Sequence, residues 1–165
     1  MKAFYRIMYL FVMFPAKLKE LVLDRYYKSI LEIHPSASIG TCCLDKSNIE
    51  IGEGTYIKSG EIFSGKGVVC IGRFCAIGRN ISIKARTHDL SRPTPNKHAR
   101  NLVKYADIRI GDYVWIGDNV FIREGVVVGD HAVIGANSVV VSDVPRGAIV
   151  GGIPARLIRY NEHVV

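Results

Sequence analysis

The sequence predicts an all-β protein whose strands wind into a parallel β-helix, and three periodic features lead to this prediction. An aliphatic residue recurs every six positions at 110, 116, 122, 128, 134 and 140. Glycine follows it at 111, 117, 129 and 135, and a second apolar or small residue lies four places after it. A period of six fits neither a helix nor a single strand. Hexads of this kind are instead typical of short strands that turn a corner and stack into coils.

The same repeat extends over most of residues 36–153. The aliphatic residues return in phase at Ile71, Ile77 and Ile83, and again at Ile51 and Ile57. The second inward places are filled by Cys75, Ile81, Val114, Val120, Val126, Ala132 and Ser138. We expect three hexads to close each triangular coil, coils to stack at about 4.8 Å, and glycine to relieve crowding at the corners.

Two interruptions break the repeat. Between Phe63 and Ile71 the phase slips by two residues around "SGKG", which indicates a bulged corner. Between Ile83 and Ile110 the repeat disappears, so residues 84–109 are predicted to form an inserted loop. This loop contains two histidines, two prolines and many basic groups. Because a long excursion inside a compact repeat is usually functional or disordered, we expect the chemistry to lie here.

The chain before the repeat predicts a helical segment, residues 1–30, ahead of a β-helix domain, residues 31–165. The apolar run from Ile7 to Phe14 is too short to span a bilayer. Lys2 and Arg6 precede it as in a signal peptide, but no cleavage site of the A-x-A type follows. We expect the helix to pack on the domain or on another subunit, with peripheral contact at a membrane surface as the alternative.

Composition and cysteine usage set broad limits on function. The chain has 165 residues and a formal net charge of +7, which would suit nucleic acid, an anionic membrane or a phosphorylated ligand. No groove-reading helix or basic aromatic module accompanies the charge, so nucleic-acid binding is not expected. The four cysteines contain no CxxC pair, which favours reduced thiols in a cytoplasmic protein and no bound metal.

With these motifs in view, the chain resembles the hexapeptide-repeat acyltransferases, whose fold is a left-handed parallel β-helix. The resemblance is carried by the hexads, by the inserted loop that opens with Thr87 and His88, by "VWIG", and by the tail "DVPRGAIVGGIPARLIRY". It is closest to the branch that contains the maltose and galactoside O-acetyltransferases and the capsule or exopolysaccharide O-acetyltransferases. The resemblance implies acetyl-CoA as the donor and a sugar hydroxyl as the acceptor.

The resemblance also implies a catalytic base, His88, at the entrance of the loop. A sugar hydroxyl attacks a thioester poorly until a base takes its proton, and an imidazole suits that task at neutral pH. Asp89 is a candidate to orient His88. His98 and Asn80 are candidate acceptor contacts, while His131 at the fourth place of its hexad is expected to face the surface.

The predicted donor site combines backbone and arginine contacts. The resemblance places the pantetheine arm at Gly135 and Ala136, where small residues let a ligand approach the backbone closely. It assigns the nucleotide phosphates to Arg156 and Arg159, with Arg146 as a further candidate. Trp115 precedes an inward aliphatic residue, so it should face outward and line the same groove.

The acceptor is predicted less firmly than the donor, because the front segment differs from that of the maltose and galactoside enzymes. We expect a cell-surface polysaccharide or its precursor, and a homotrimer with active sites between subunits. The protein is expected in the cytoplasm or at the inner face of the membrane. N-acetylation of a nucleotide-linked amino sugar stays open as the alternative. A γ-type carbonic anhydrase is a weaker alternative, since it would need three histidines to converge.

Overall fold

The computed structural model describes residues 16–45, 48–89, 103–162 and 164, and these form a parallel β-solenoid of about five turns preceded by a helix. The β-helix prediction is therefore confirmed. Each coil has three short strands, so the molecule has three faces and three corners. Strands that are stacked on one face are separated by one full coil in the sequence.

The first face is formed by five parallel strands. They are β1 (Glu32–Ile33), β3 (Ile49–Ile51), β5 (Val69–Ile71), β10 (Ile108–Ile110) and β13 (Val127–Val128).

The second and third faces share two long strands that bend around the corner between them. These are β2 (Ser38–Leu44) and β4 (Tyr56–Phe63). The second face continues with β6 (Ala76–Ile77), β11 (Trp115–Ile116), β14 (Val133–Ile134) and β16 (Ala148–Gly151). The third face continues with β7 (Ile81–Lys84), β12 (Phe121–Ile122) and β15 (Val139–Val140).

Three further strands depart from the coils. The short strands β8 (Arg86–His88) and β9 (Val103–Tyr105) pair antiparallel as a hairpin. The last strand, β17 (Arg156–Tyr160), runs antiparallel to β16 at the end of the second face. The predicted loop 84–109 is therefore shorter than expected, because Lys84 still belongs to β7 and Ile108 already begins β10.

The core runs along the axis of the solenoid, and its composition follows the predicted inward places. All six aliphatic residues from Ile110 to Val140 that keep the six-residue period are buried. The predicted second places are buried as well, namely Cys75, Ile81, Val114, Val120, Val126, Ala132 and Ser138.

The glycine prediction is confirmed at Gly111, Gly117 and Gly129, where the structure gives its physical cause, but not at Gly135. A β-carbon on Gly117 would lie 2.6 Å from the backbone nitrogen of Ala136, so the crowding comes from the next coil. The residue that needs a left-handed backbone is at the fourth place of the hexad. Asparagine or aromatic residues often occupy that place, for example Asn119 with φ 58° and Tyr113 with φ 58°.

Helix α1 (Ala16–Ile30) closes the first coil. The Asp24 carboxylate accepts a hydrogen bond from the backbone of Ile39 at 3.0 Å, and the Tyr27 hydroxyl accepts one from Leu44 at 3.2 Å. The described part of the predicted helical segment, residues 16–30, thus packs on the first coil, and residues 1–15 lie outside the described residues. No helix within the described ranges is long and apolar enough to cross a membrane.

The four cysteines are free thiols, as the sequence predicted. Cys42 and Cys75 are buried, whereas Cys43 is exposed. Burial, together with the neighbouring Cys43, raises the pKa of the Cys42 thiol to about 12. Adjacent Cys42 and Cys43 point to opposite sides of β2, which is why they do not bridge each other.

Candidate active site

A groove on the second face brings together three of the predicted donor residues. Trp115, Gly135 and Ala136 line one cavity of about 410 Å³ with Tyr56 and Lys58. The Trp115 side chain is 59% exposed, as expected for an outward place. Strand pairing aligns it with Ala76 on one side and Val133 on the other.

The corner beside this groove is held by a buried serine. The Ser138 hydroxyl donates to the carbonyl of Gly135 at 2.6 Å and accepts from the backbone of Gly152 at 3.2 Å. A β-carbon on Gly135 would lie 3.4 Å from the carbonyl oxygen of Val150, which is an ordinary contact, so this glycine is not crowded. The arrangement leaves room for a ligand to approach the backbone of Gly135 and the exposed Ala136.

The predicted phosphate-binding arginines lie on β17, at the end of the same face. Arg159 pairs with Ile149, which in turn pairs with Val133 beside Trp115. Three strand spacings therefore separate Trp115 from Arg159, which is about 14 Å. Arg156 pairs with Gly151, and both arginines are exposed. Arg146 lies elsewhere, in the broad groove of the first face.

The β8–β9 hairpin carries His88 outside the solenoid. His88 is exposed and pairs with Val103, while Arg86 pairs with Tyr105. Since alternate strand residues share a side, His88, Arg86 and Tyr105 lie on the same side of the hairpin. The ring of Tyr105 and the guanidinium of Arg86 both turn towards the preceding coil, as their contacts show.

Two contacts fix the root of this hairpin. The guanidinium carbon of Arg86 lies 5.3 Å from the centroid of the Phe63 ring. The Tyr105 ring covers Gly65, where a β-carbon would lie 2.5 Å from Tyr105 Cε1. Gly65 has φ +59° and belongs to the "SGKG" segment, residues 64–67. The predicted bulged corner is therefore present, and it forms a seat for the inserted hairpin.

Asp45 holds the bulged corner in shape. Its carboxylate accepts hydrogen bonds from the backbone nitrogen of Ser64 at 3.1 Å, from the Ser64 hydroxyl at 2.9 Å and from the backbone of Gly65 at 2.7 Å. Phe63, Gly65, Arg86 and Tyr105 were missed as functional candidates. The sequence contained one clue to their contact, because the "SGKG" segment and the inserted loop fall one coil apart at the same corner.

Asn80 and His131 belong to two ladders that connect successive coils. The Asn80 amide donates to Asn119 at 2.9 Å, and Asn119 donates to Asn137 at 3.1 Å. At another corner, the His131 ring stacks on Tyr113 at 4.9 Å, and Tyr113 stacks on Phe74 at 5.4 Å. His131 is thus half-buried in a ring stack. Asn80 and His131 therefore both connect one coil to the next.

The remaining acceptor candidates are only partly located. Asp89 follows His88 at the end of β8, and His98 lies outside the described residues. His88 and His131 are at different corners, so one chain does not bring them together. Within the described ranges, no three histidine, cysteine or acidic residues form a group that could hold a metal ion.

A single chain does not join His88 to the groove around Trp115. The groove lies on the second face, whereas the hairpin leaves the corner between the third and first faces. The whole width of the third face separates them. Any reaction that needs both must therefore recruit a second copy of the chain or a movement of the hairpin.

Sequence comparisons link the chain to known transferases. A family model described as bacterial transferase hexapeptide (six repeats) matches residues 107–142. A sophorolipid acetyltransferase of Starmerella bombicola is 48% identical over 113 residues, which is 68% of this chain and 42% of that protein. A polysialic acid O-acetyltransferase of Escherichia coli O1:K1 / APEC is 39% identical over 117 residues, or 70% of this chain and 37% of that protein.

Solved structures with the same solenoid lead in the same direction. A hexapeptide-repeat acetyltransferase of Vibrio cholerae O1 biovar eltor, solved with acetyl coenzyme A, is 31% identical with a TM-score of 0.71. The match covers 84% of this chain and 76% of that one. A galactoside acetyltransferase in complex with coenzyme A has a TM-score of 0.71 at 27% identity, and the match covers 96% and 80%. The chain spans about two fifths of the length of the two curated relatives.

Proposed function

The chain belongs to the hexapeptide-repeat acetyltransferases, and on this premise we propose that it moves an acetyl group from acetyl-CoA to a sugar hydroxyl. The observation that carries the proposal is the combination of an exposed histidine on the inserted hairpin with a groove of small residues on the solenoid. The solved relatives named above hold acetyl coenzyme A or coenzyme A. Acetyl-CoA here is a donor substrate.

In the proposed mechanism, His88 is the general base. Its imidazole takes the proton of the acceptor hydroxyl while the hydroxyl oxygen attacks the thioester carbonyl. The tetrahedral intermediate then collapses, the carbon–sulfur bond breaks, and the imidazolium returns the proton to the departing thiolate. The products are the acetyl ester and free coenzyme A.

We place the donor along the second face. The pantetheine arm would lie beside Trp115 and the backbone of Gly135 and Ala136, and the phosphates would reach Arg156 and Arg159. The exposed arginines at the end of the groove support this direction. A guanidinium can bind a phosphate through two parallel hydrogen bonds, which suits the 3′-phosphate of the coenzyme.

We propose that three copies assemble so that His88 of one chain meets the donor groove of its neighbour. The separation of the hairpin from the groove within one chain supports this arrangement. A closed threefold ring repeats the same contact three times, so one geometry would complete every site.

For the acceptor, we favour a cell-surface polysaccharide or its precursor. The two curated relatives are named for a glycolipid and a sugar polymer. Asp89 and His98 would lie on the acceptor side with His88, and Asn80 is a further candidate beside its ladder. A thiol-release assay with sugars, oligosaccharides and nucleotide-linked amino sugars tests this choice. Release with amino sugars alone would favour N-transfer instead.

Replacement of His88 tests the reaction. We expect His88→Ala to keep its melting temperature and its affinity for acetyl-CoA, because the hairpin lies outside the core. Turnover should fall by about 10²–10⁴, the usual contribution of a general base. His34→Ala is the matched control, since His34 is another exposed histidine remote from the hairpin. A His88→Ala protein that turns over like the parent would show that another group takes the proton.

The donor placement has its own test, in calorimetry with two coenzymes. Dephospho-CoA should bind the parent more weakly than CoA does, because one charge-assisted contact is lost. Arg156→Ala should bind CoA more weakly and should narrow the difference between the two coenzymes. If the parent and Arg156→Ala bind CoA and dephospho-CoA with equal affinity, the 3′-phosphate does not bind Arg156.

We further propose peripheral contact with the inner face of the membrane. Five apolar residues of α1 are exposed on the side away from the solenoid. They are Leu18, Leu21, Val22, Tyr26 and Ile30. Lys17 and Lys19 flank them and suit anionic headgroups. Flotation with anionic vesicles should carry the parent, and Leu21→Gln with Val22→Gln should weaken flotation. Equal flotation of both proteins would contradict this contact.

A further inference from the structure

Positive charge is concentrated in the insertion that carries His88. Residues 84–109 contain seven basic and two acidic residues, a net of +5, while the whole chain has +7. Of these basic residues, the structure describes Lys84, Arg86, Lys104 and Arg109. The solenoid on which they sit is close to neutral by comparison. The four described cations lie on or next to the β8–β9 hairpin, and the other three lie outside the described residues.

Arg86 is the cation best placed to meet the acceptor. It lies two residues before His88 on the same side of the hairpin, so the two side chains start about 7 Å apart. Its guanidinium is held over the Phe63 ring at 5.3 Å. A guanidinium stacked on an aromatic ring still directs N–H groups from its edge, so it can bind a carboxylate while it stays in place.

Two of the four described cations, Lys84 and Arg109, have acidic partners. Glu61 binds Lys84 at 2.7 Å and accepts from the Ser82 hydroxyl at 2.9 Å. These hydrogen bonds, with the charges of Lys84 and Arg86, lower the pKa of the Glu61 carboxyl. Asp107 accepts from the backbone of Val68 and lies 3.9 Å from Arg109. The third acidic residue nearby, Asp89, also has an interaction partner.

Lys66 and Lys104 add charge around the same root. Lys66 follows Gly65 in the bulged corner, and Lys104 precedes Tyr105, which covers Gly65. Both lysines are exposed. Lys66 therefore adds charge at the root of the hairpin, whereas Lys104 pairs with Thr87 and lies on the opposite side of the hairpin from His88.

We infer that the acceptor is an acidic glycan, with a carboxylate on or next to the sugar that receives the acetyl group, and that Arg86 binds this carboxylate. The inference rests on the proposed function and names the substrate class for it. The donor phosphates do not account for this charge in our placement, because they would reach Arg156 and Arg159 on β17 instead. In this role Arg86 is a specificity-determining residue beside the base.

The experiment compares an acidic oligosaccharide with the same oligosaccharide after its carboxylates have been reduced to alcohols. Thiol release is followed as a function of acceptor concentration for the parent, Arg86→Gln and Arg86→Lys. The parent should prefer the acidic acceptor by about tenfold in kcat/KM, the effect of one charge-assisted contact. Arg86→Gln should lose this preference through a higher KM for the acidic acceptor, and Arg86→Lys should retain part of it.

Two controls separate a binding role from a structural one. Because Arg86 also helps to hold the root of the hairpin, the readout is the ratio of kcat/KM for the acidic acceptor to kcat/KM for the reduced acceptor within each variant, and the KM for acetyl-CoA should match the parent. Arg25→Gln removes an exposed cation of α1 and should change neither acceptor's KM. Equal kcat/KM for both acceptors in the parent, or the same preference in Arg86→Gln, would overturn the inference. Absence of thiol release with any sugar would instead reject the proposed function.

Discussion

At the residue scale, Gly117 and Gly135 hold the same place in neighbouring coils but differ in what surrounds them. A β-carbon on Gly117 would lie 2.6 Å from the backbone of Ala136, whereas one on Gly135 would lie no closer than 3.4 Å to any atom. Neither has a left-handed backbone. The two positions therefore separate the effect of crowding from that of chain flexibility.

We predict that Gly117→Ala lowers the free energy of unfolding by about 1–3 kcal/mol, the usual cost of an overpacked site. Gly135→Ala should change it by less than about 1 kcal/mol and in the stabilising direction, because alanine restricts the unfolded chain. Denaturant unfolding of the two variants measures both. Equal destabilisation would show that the coils can separate locally to admit a methyl group.

The sequence predicts inward residues well and corner residues poorly. Ile116 and Val120 could be placed because their period is visible within one stretch of chain. The Phe74–Tyr113–His131 stack could not, because its members lie 39 and 18 positions apart. Their contact depends on how coils are stacked across the insertion. The resemblance made Asn80 an acceptor candidate, and its hydrogen bond to Asn119 could not be predicted because it depends on the register of the coils.

At the scale of the element, the inserted hairpin and the bulged corner behave as one unit. Tyr105 covers Gly65, and Arg86 covers Phe63, so the root of the hairpin has a defined direction. The sequence revealed both interruptions, but their contact could not be predicted, because it joins segments separated by a whole coil. The inserted loop is also shorter than predicted, because the coil strands β7 and β10 extend into it from both ends, where the local repeat is too short to recognise.

We predict that Tyr105→Ala lowers turnover about tenfold to a hundredfold, because a small displacement of a catalytic group is costly. The melting temperature and the KM for acetyl-CoA should stay close to the parent values. Tyr105→Phe keeps the ring over Gly65 and should restore turnover. If Tyr105→Ala turns over as fast as the parent, the hairpin is positioned by other contacts.

At the scale of the whole molecule, His88 lies far from the groove that we propose for the donor. The proposed reaction therefore needs an assembly that brings His88 of one chain to the groove of another. The sequence could place each half of the site on its own segment. It could not show that the third face lies between them, since that depends on the order of the corners. One variant that lacks the proposed base and another that lacks the proposed phosphate contacts can therefore test whether two chains share a site.

We predict that His88→Ala and a donor-groove variant, Arg156→Ala with Arg159→Ala, recover activity when they are unfolded together and reassembled. At equal amounts, random mixing in a closed trimer would give intact halves at about a quarter of the sites. Thiol release before and after mixing measures the recovery, and light scattering reports the trimer. Variants reassembled separately are the control. A monomer in light scattering, or no recovery, would contradict shared sites.

The two ends of the solenoid have a consequence for how the molecule avoids becoming a fibre. Every coil offers its strands to a further coil, so an uncovered end could template the growth of a stack without limit. Asp24 and Tyr27 of α1 occupy backbone donors of the first coil. At the opposite end, β17 runs in the reverse direction, and a reversed strand cannot continue a parallel stack. Both ends of the solenoid are therefore capped, and we expect loss of either cap to expose strand edges that favour association between molecules.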